Sequence, residues 1–418
     1  MSKPPRHIGA VLSALRLNGG RAEELGSLDD ATWHALLAYT DSTHLTLYLA
    51  ARARDFAPGW VRQRLAKNLS DNSRRFERIK AAYGEMAYAF RKAGVNHIVL
   101  KGFSQWPDYS EDLRLRLQSD IDFYCPPESI FQARDLLIGL GYKEVPTNSF
   151  ADHLPIMIRE GGWQWKGNYY DPDIPPMVEL HHRLWNRERL RFGPSSLESF
   201  WSRRQVRRVE GIDFPALHWV DNLGFSALQV LRDLVNHGLL LHKVYELARF
   251  LDRNVDNKHF WQQWIELHDG PLRQWQAIAF RLAVQYFACD VAPQVADHIK
   301  QLPGFIEKWI VHSADSFLNP LENLTKDALW LHLALIDSAR EKIAVGLRVL
   351  IPMKLQTDPE MVAITDDGTV SQPAFFQRLL RRAAYGTSRL PLHARLLPVT
   401  LWHGLRLWWS AREFKAQA

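Results

Sequence analysis

Five residues constrain this chain more than any others: Asp120-Ile121-Asp122-Phe123-Tyr124. Polar and apolar residues alternate, which predicts a half-buried strand. Residues i and i+2 of a strand point to the same side, so both aspartates stand on one face. Two carboxylates held side by side repel each other unless a cation lies between them. A triplet of this kind is also what an ordinary solvated strand edge shows, so its surroundings decide. Upstream, Ile98-Val99-Leu100 reads as a short buried strand ending in Lys101-Gly102. Downstream, Met177-Val178-Glu179-Leu180-His181 reads as another strand, with Glu179 and His181 again at i, i+2. If that strand adjoins the first, Glu179 becomes a third carboxylate. Hard divalent cations such as Mg2+ are bound by one or two carboxylates together with substrate phosphates.

The flanks of this segment have a different period. Residues 8 to 94 read as helical, most clearly from Asn72 to Lys92, where Phe76, Ile79, Tyr83, Met86 and Phe90 recur at spacings of three and four. Gly94 stands where a helix C-cap belongs. Beyond Pro126-Pro127, residues 128 to 140 predict a helix. Antiparallel strands are expected between Tyr142 and Trp165, with a hairpin at Gly161-Gly162, and a polar, proline-rich loop from Asn168 to Pro176. From Leu217 to Leu350 the pattern is helical again, 355 to 372 reads as an exposed loop, and the tail from Phe375 mixes Leu, Trp and Arg. The expectation is an α+β fold: a small mixed β-sheet core at 95–215, an N-terminal helical region at 1–94, a C-terminal one at 216–350, and a loop with terminal helices at 351–418.

Composition adds bounds. At 46% apolar and 23% charged, the 418 residues describe a globular chain. Cys125 and Cys289 are too few and too far apart for a disulfide framework or a cysteine zinc site, which suits a reducing compartment. No signal-peptide pattern and no run of about 18 apolar residues occurs, so the expectation is a cytoplasmic protein without a membrane span. A net charge of +6 permits an anionic partner without demanding one.

Taken together, Leu100-Lys101-Gly102, Arg116-Leu117-Gln118-Ser119-Asp120-Ile121-Asp122 and Val178-Glu179-Leu180-His181 resemble the uncharacterised nucleotidyltransferase family of bacterial proteins, within the polymerase-beta-like superfamily. The resemblance implies an Mg2+- or Mn2+-dependent transferase that moves a nucleoside monophosphate from an NTP to an acceptor: a small molecule, a peptide or protein, or an RNA. Asp120, Asp122 and Glu179 would hold the metal, with Glu179 also able to act as base. Lys101, Gly102, Ser104, Arg116 and Ser119 would form the nucleotide side, Gly102 letting the backbone approach phosphate. Arg116 either reaches phosphate or pins the loop before the aspartates. His181 would stand behind the carboxylates. Three departures go with it: Lys-Gly replaces the superfamily's Gly-Ser, Tyr109 is an inexact match, and Glu246 stands where this branch tends to have Asp.

Other features have a plain reading beside a functional one. Arg203-Arg204 and Arg207-Arg208 predict one basic helical face, a solvated surface or an RNA contact. Trp163 and Trp165 predict one strand face, core packing or base stacking. His237 and His242 lack the i, i+4 spacing of a helical metal pair. Leu401, Trp402, Leu405, Trp408 and Trp409 with Arg395 and Arg406 read as a docked terminal helix before a peripheral membrane contact. A catalytically inactive binding protein on the same fold, or an RNA- or membrane-surface binding protein, is the alternative to an enzyme.

Overall fold

Strand β2 (Asp120–Tyr124) lies near the middle of a seven-stranded mixed sheet ordered β3-β4-β5-β2-β1-β7-β6. The computed structural model describes residues 4–145, 152–159, 161–194, 197–236, 238–319, 326–350, 363–364, 370–371 and 394–409. The other strands are β1 (Ile98–Leu100), β3 (Tyr142–Glu144), β4 (Met157–Arg159), β5 (Met177–His181), β6 (Gln205–Val209) and β7 (Ile212–Ala216). β2 runs antiparallel to β1, with Leu100 opposite Asp122, and parallel to β5, with Asp122 opposite Glu179 and Tyr124 opposite His181. β1 in turn pairs parallel with β7 through Val99 and Ala216.

The two faces of this sheet are covered differently, and that positions the acids. Ahead of β1 come α1 (Arg6–Leu15), α2 (Asp30–Ser42), α3 (Thr46–Ala53) and the long α4 (Gly59–Lys92). The apolar stripe of α4 packs Phe76, Ile79, Tyr83 and Phe90 with Val99, Ile121, Phe123, Val178 and Leu180, joined by α5 (Ile130–Gly139). Each aromatic side chain so buried contributes about 1.5–3 kcal/mol relative to exposure. Ile98 and Leu100 point the other way, into the helical core. β1 is therefore buried on both sides, and Asp122, opposite Leu100, faces the helical body.

That body begins after the short α6 (Arg187–Leu190) and α7 (Glu198–Ser202). It consists of α8 (Trp219–Val235), α9 (Leu241–Arg253), α10 (Lys258–Leu267), α11 (Gly270–Phe287), α12 (Pro293–Lys300), α13 (Gly304–Ser313), α14 (Ala328–Leu335) and α15 (Ala339–Leu350). Residues 394–409 form a further helix, α16. Tryptophans fill the core of the helical parts: Trp33, Trp261, Trp264 and Trp309 are fully buried.

Three expectations are corrected, and the long helix within the span read as helical gains a definite start. Arg203 to Arg208 is not a helical face. Arg207 and Arg208 lie on β6, which turns into β7 through Glu210 and Gly211, both at positive φ (48° and 81°), the backbone of a two-residue hairpin. Arg203 is held by Asp221 and Arg207 by Asp108, so the four arginines do not make one surface. Trp163 and Trp165 lie outside any strand: the antiparallel partners of this region are β3, β4 and β5, and the Trp163 indole donates to Asp171 at 3.0 Å. α4 starts at Gly59 behind Pro58, thirteen residues before the apolar stripe becomes regular. Ala363–Ile364 and Val370–Ser371 pair antiparallel within the segment read as a loop. His237 and Asp366-Asp367-Gly368, the latter within the segment expected to be an exposed loop, lie outside the described residues.

Candidate active site

Parallel pairing of β2 with β5 sets Asp122 directly beside Glu179, and two residues further along both strands it sets Tyr124 beside His181. The His181 ring reaches back, with Nε2 2.9 Å from Asp122 Oδ1 and 3.2 Å from Glu179 Oε2. From β1, Lys101 donates Nζ–H to the same Asp122 oxygen at 2.6 Å. One carboxylate oxygen thus meets an ammonium and an imidazole in a place where the Asp122 side chain is only 2% exposed.

The protonation pattern follows. Burial by itself would lift the Asp122 carboxyl, but the Lys101 charge and the His181 hydrogen bond outweigh it and hold Asp122 well below the usual range. Asp120, on the same face, has no such hydrogen-bonded partner among the described residues, and only the more distant charges of Lys101 and Arg116 favour its ionised form. Burial first and the Asp122 charge second push it up to about 7. Burial opposes the charged forms of Lys101 and His181, yet the surrounding carboxylates raise both. Three acids on one patch are thus offset by the Lys101 ammonium, by the His181 imidazole and by the firmer hold of Asp120 on its proton.

Asp122, Glu179 and His181 each offer a ligand atom, and these lie within 4.8 Å of one another, so the group could hold a metal ion. Two carboxylates and one imidazole make an oxygen and nitrogen donor set without a thiolate, and Asp120, on the same strand face, is not among these three.

The sequence model of a family described as uncharacterised nucleotidyltransferase matches residues 29–288. The chain belongs to that family. Searches of curated proteins and of solved structures returned no match. Membership makes the protein a transferase of nucleotidyl groups, and its mixed sheet with flanking helices is the α+β nucleotidyltransferase fold expected from the sequence.

The remaining sequence-nominated residues of this nucleotidyltransferase are placed as follows. Gly102 takes φ +53°, and a Cβ there would come within 2.2 Å of the Gln118 side chain, whose Nε2 donates to the Asp120 carbonyl. The glycine thus leaves room for the residue that props the start of β2. Ser104 turns its hydroxyl to the Lys101 carbonyl at 2.6 Å, and the Ser119 carbonyl accepts from Met177 N–H at 3.1 Å. Arg116 donates to Glu246 on α9, which also accepts from the Tyr48 hydroxyl.

Several residues had not been nominated. Asn72 on α4 donates to the carbonyls of both Arg114 and Arg116, fixing the loop before β2. Lys243 on α9, tied to Asp233 at 2.6 Å, shares a small cavity with Lys101 and Arg116. Gln105 and Gln229 line that cavity too, and their buried Oε1 atoms have no hydrogen-bond partner among the described residues. A sequence signal existed for Asn72: Asn68, Asp71, Asn72 and Arg75 repeat at helical spacing and are all buried. None existed for Lys243.

Proposed function

We propose that this nucleotidyltransferase joins a nucleoside monophosphate, taken from an NTP, to an acceptor hydroxyl, with Mg2+ or Mn2+ held by Asp120, Asp122 and Glu179. The observation that carries the reading is the in-register pairing of Asp122 with Glu179, with Asp120 on the same face and Lys101 alongside. A bound divalent cation would supply charge neutralisation of the triphosphate.

The chain's own groups do the rest. Asp120 gives up its proton as the site fills, because a cation removes the repulsion that retained it. Lys101, relieved of neutralising Asp122, is free to meet phosphate oxygens. Glu179 takes the proton of the acceptor hydroxyl. The acceptor oxygen bonds to the α-phosphorus, the bond from that phosphorus to the bridging oxygen breaks, and pyrophosphate leaves. His181 keeps Asp122 and Glu179 oriented through its two contacts.

The test is a screen of four radiolabelled NTPs with Mg2+ or Mn2+ against cell extract. A macromolecule or small molecule labelled from one NTP supports the reading and identifies the acceptor class. No labelled product, with no shift in melting temperature from any metal–NTP pair, overturns it in favour of a non-catalytic binding protein.

A further inference from the structure

The chain's positive charge is not spread along it. Residues 375–418 hold seven Arg and one Lys against Glu413 alone, a net +7, so the other 374 residues together carry −1 of the chain's +6. Within this basic stretch lies α16, whose two sides differ sharply. Thr400, Gly404 and Leu407 recur at i, i+4 and i+7 and face the body: Thr400 and Leu407 are 1% and 3% exposed. Gly404 permits the close approach, since a Cβ there would come within 2.1 Å of the Trp330 ring. The Trp330 indole donates to the Thr400 carbonyl at 2.9 Å, and His403 Nδ1 lies 3.0 Å from the Asp327 carboxylate. The helix is thus anchored on α14.

Its outer side carries Leu401, Trp402, Leu405 and Trp409, with Trp402, Leu405 and Trp409 61–67% exposed. Arg395 and Arg406 are exposed on the same helix. We propose that this outer face docks on an anionic lipid bilayer surface, placing the protein at a membrane without crossing it. Among the described residues no helix is long and apolar enough to span a bilayer. Tryptophan and leucine enter the boundary between headgroups and acyl chains, and arginines remain at the headgroups, where anionic lipids attract them.

Two other partners fit less well. A second copy of the chain would bring its own +7 tail against the first. An RNA would pair with the arginines and could stack on tryptophan, but Val399, Leu401 and Leu405 offer it nothing, whereas a bilayer buries all three. The inference does not rest on nucleotidyl transfer.

The experiment is co-sedimentation of the full-length protein with vesicles of phosphatidylcholine, alone or mixed with phosphatidylglycerol. Pelleting with the anionic vesicles, weakened by salt, is expected. The variant Trp402→Ser/Leu405→Ser/Trp409→Ser should lower the partition coefficient roughly tenfold or more while its melting curve stays that of the wild type, since these side chains are exposed. Arg395→Glu/Arg406→Glu should erase the preference for phosphatidylglycerol. No pelleting, or equal pelleting of the triple variant, overturns the proposal. So does a self-association, or binding to a single-stranded RNA probe, that these substitutions abolish in the absence of any vesicle binding.

Discussion

Arg116 donates from Nε to Glu246 Oε1 at 2.8 Å, joining the loop before β2 to helix α9 across 130 residues of chain. The side chains are 11% and 2% exposed, so this is a buried ion pair. It fixes the distance between the carboxylate-bearing sheet and the helices that cover it.

Removing one partner from such a pair strands the other charge. Arg116→Met or Glu246→Leu alone is expected to destabilise the protein by about 3–5 kcal/mol, whereas the double substitution Arg116→Met/Glu246→Leu should cost less than either single one. Urea unfolding of the two singles and the double closes the cycle. Additive losses would mean that the two residues do not act as a pair.

Asp120 and Asp122 should separate in stability but not in activity. Asp120 is pushed up to about 7, so below that pH Asp120→Asn replaces one neutral group by another, and above it the substitution removes a charge that repels Asp122. Its melting temperature without metal should equal or exceed the wild type. Asp122→Asn leaves Lys101 and His181 without their counter-charge and should melt lower. Transfer should fall ~10²- to 10³-fold in both. Differential scanning fluorimetry with a single-turnover assay reads both quantities, and an active Asp122→Asn protein would dismiss the metal site.

Asn72→Ala deletes the donor shared by the Arg114 and Arg116 carbonyls. A loss of about 1–3 kcal/mol in stability is expected. Loosening the loop should also weaken binding of a metal–NTP pair, seen as a smaller ligand-induced rise in melting temperature than wild type shows. An unchanged rise would confine Asn72 to a purely structural role.

Acid should destabilise this protein through two stacked histidines, His44 and His242, whose ring centroids are 5.0 Å apart. Burial first, and then Arg116 and Lys243 together with Arg75 on His44 and with the neighbouring imidazole on His242, lowers both; His44 falls to about 4 and His242 lies well below its ordinary value. The unfolded chain takes up protons below about pH 6.5 while the folded one does not, so stability is full above that pH and drops as pH falls from 6.5 towards 4. At pH 5 the loss is about 2 kcal/mol for His44. Calorimetry between pH 7.5 and 5 should show a shallower decline for His242→Phe than for wild type. Parallel declines would place the acid sensitivity elsewhere.

Much of the sheet was legible because period-two alternation is a local signal. Asp120-Ile121-Asp122 and Val178-Glu179-Leu180-His181 each announce a strand with one polar face, and the family motifs imply that they belong together. The β6–β7 hairpin was missed because Glu210-Gly211 is an uncommon turn pair and four arginines at i, i+4 imitate a helix face. Lys243 was missed for another reason. Nothing in its neighbourhood distinguishes a lysine on α9 bound to Asp233 from a solvated one until the fold brings it to one cavity with Lys101 and Arg116. Partners distant in sequence leave no periodicity behind them. Asn72 could have been suspected, since a polar stripe inside an otherwise apolar helix has to satisfy something.

The parallel register of β2 and β5 has a consequence for how such a chain can diversify. Because side chains alternate with a period of two, inserting one residue within Asp120–Tyr124 or Met177–His181 would turn the acids onto the apolar side. Between those strands lie α5, β3, β4 and a loop, and among the described residues none of these supplies a carboxylate to the cluster. A change in length there is best carried by the connections between these elements, since α5, β3 and β4 themselves pack Ile130, Leu137, Tyr142 and Met157 into the core behind the two strands.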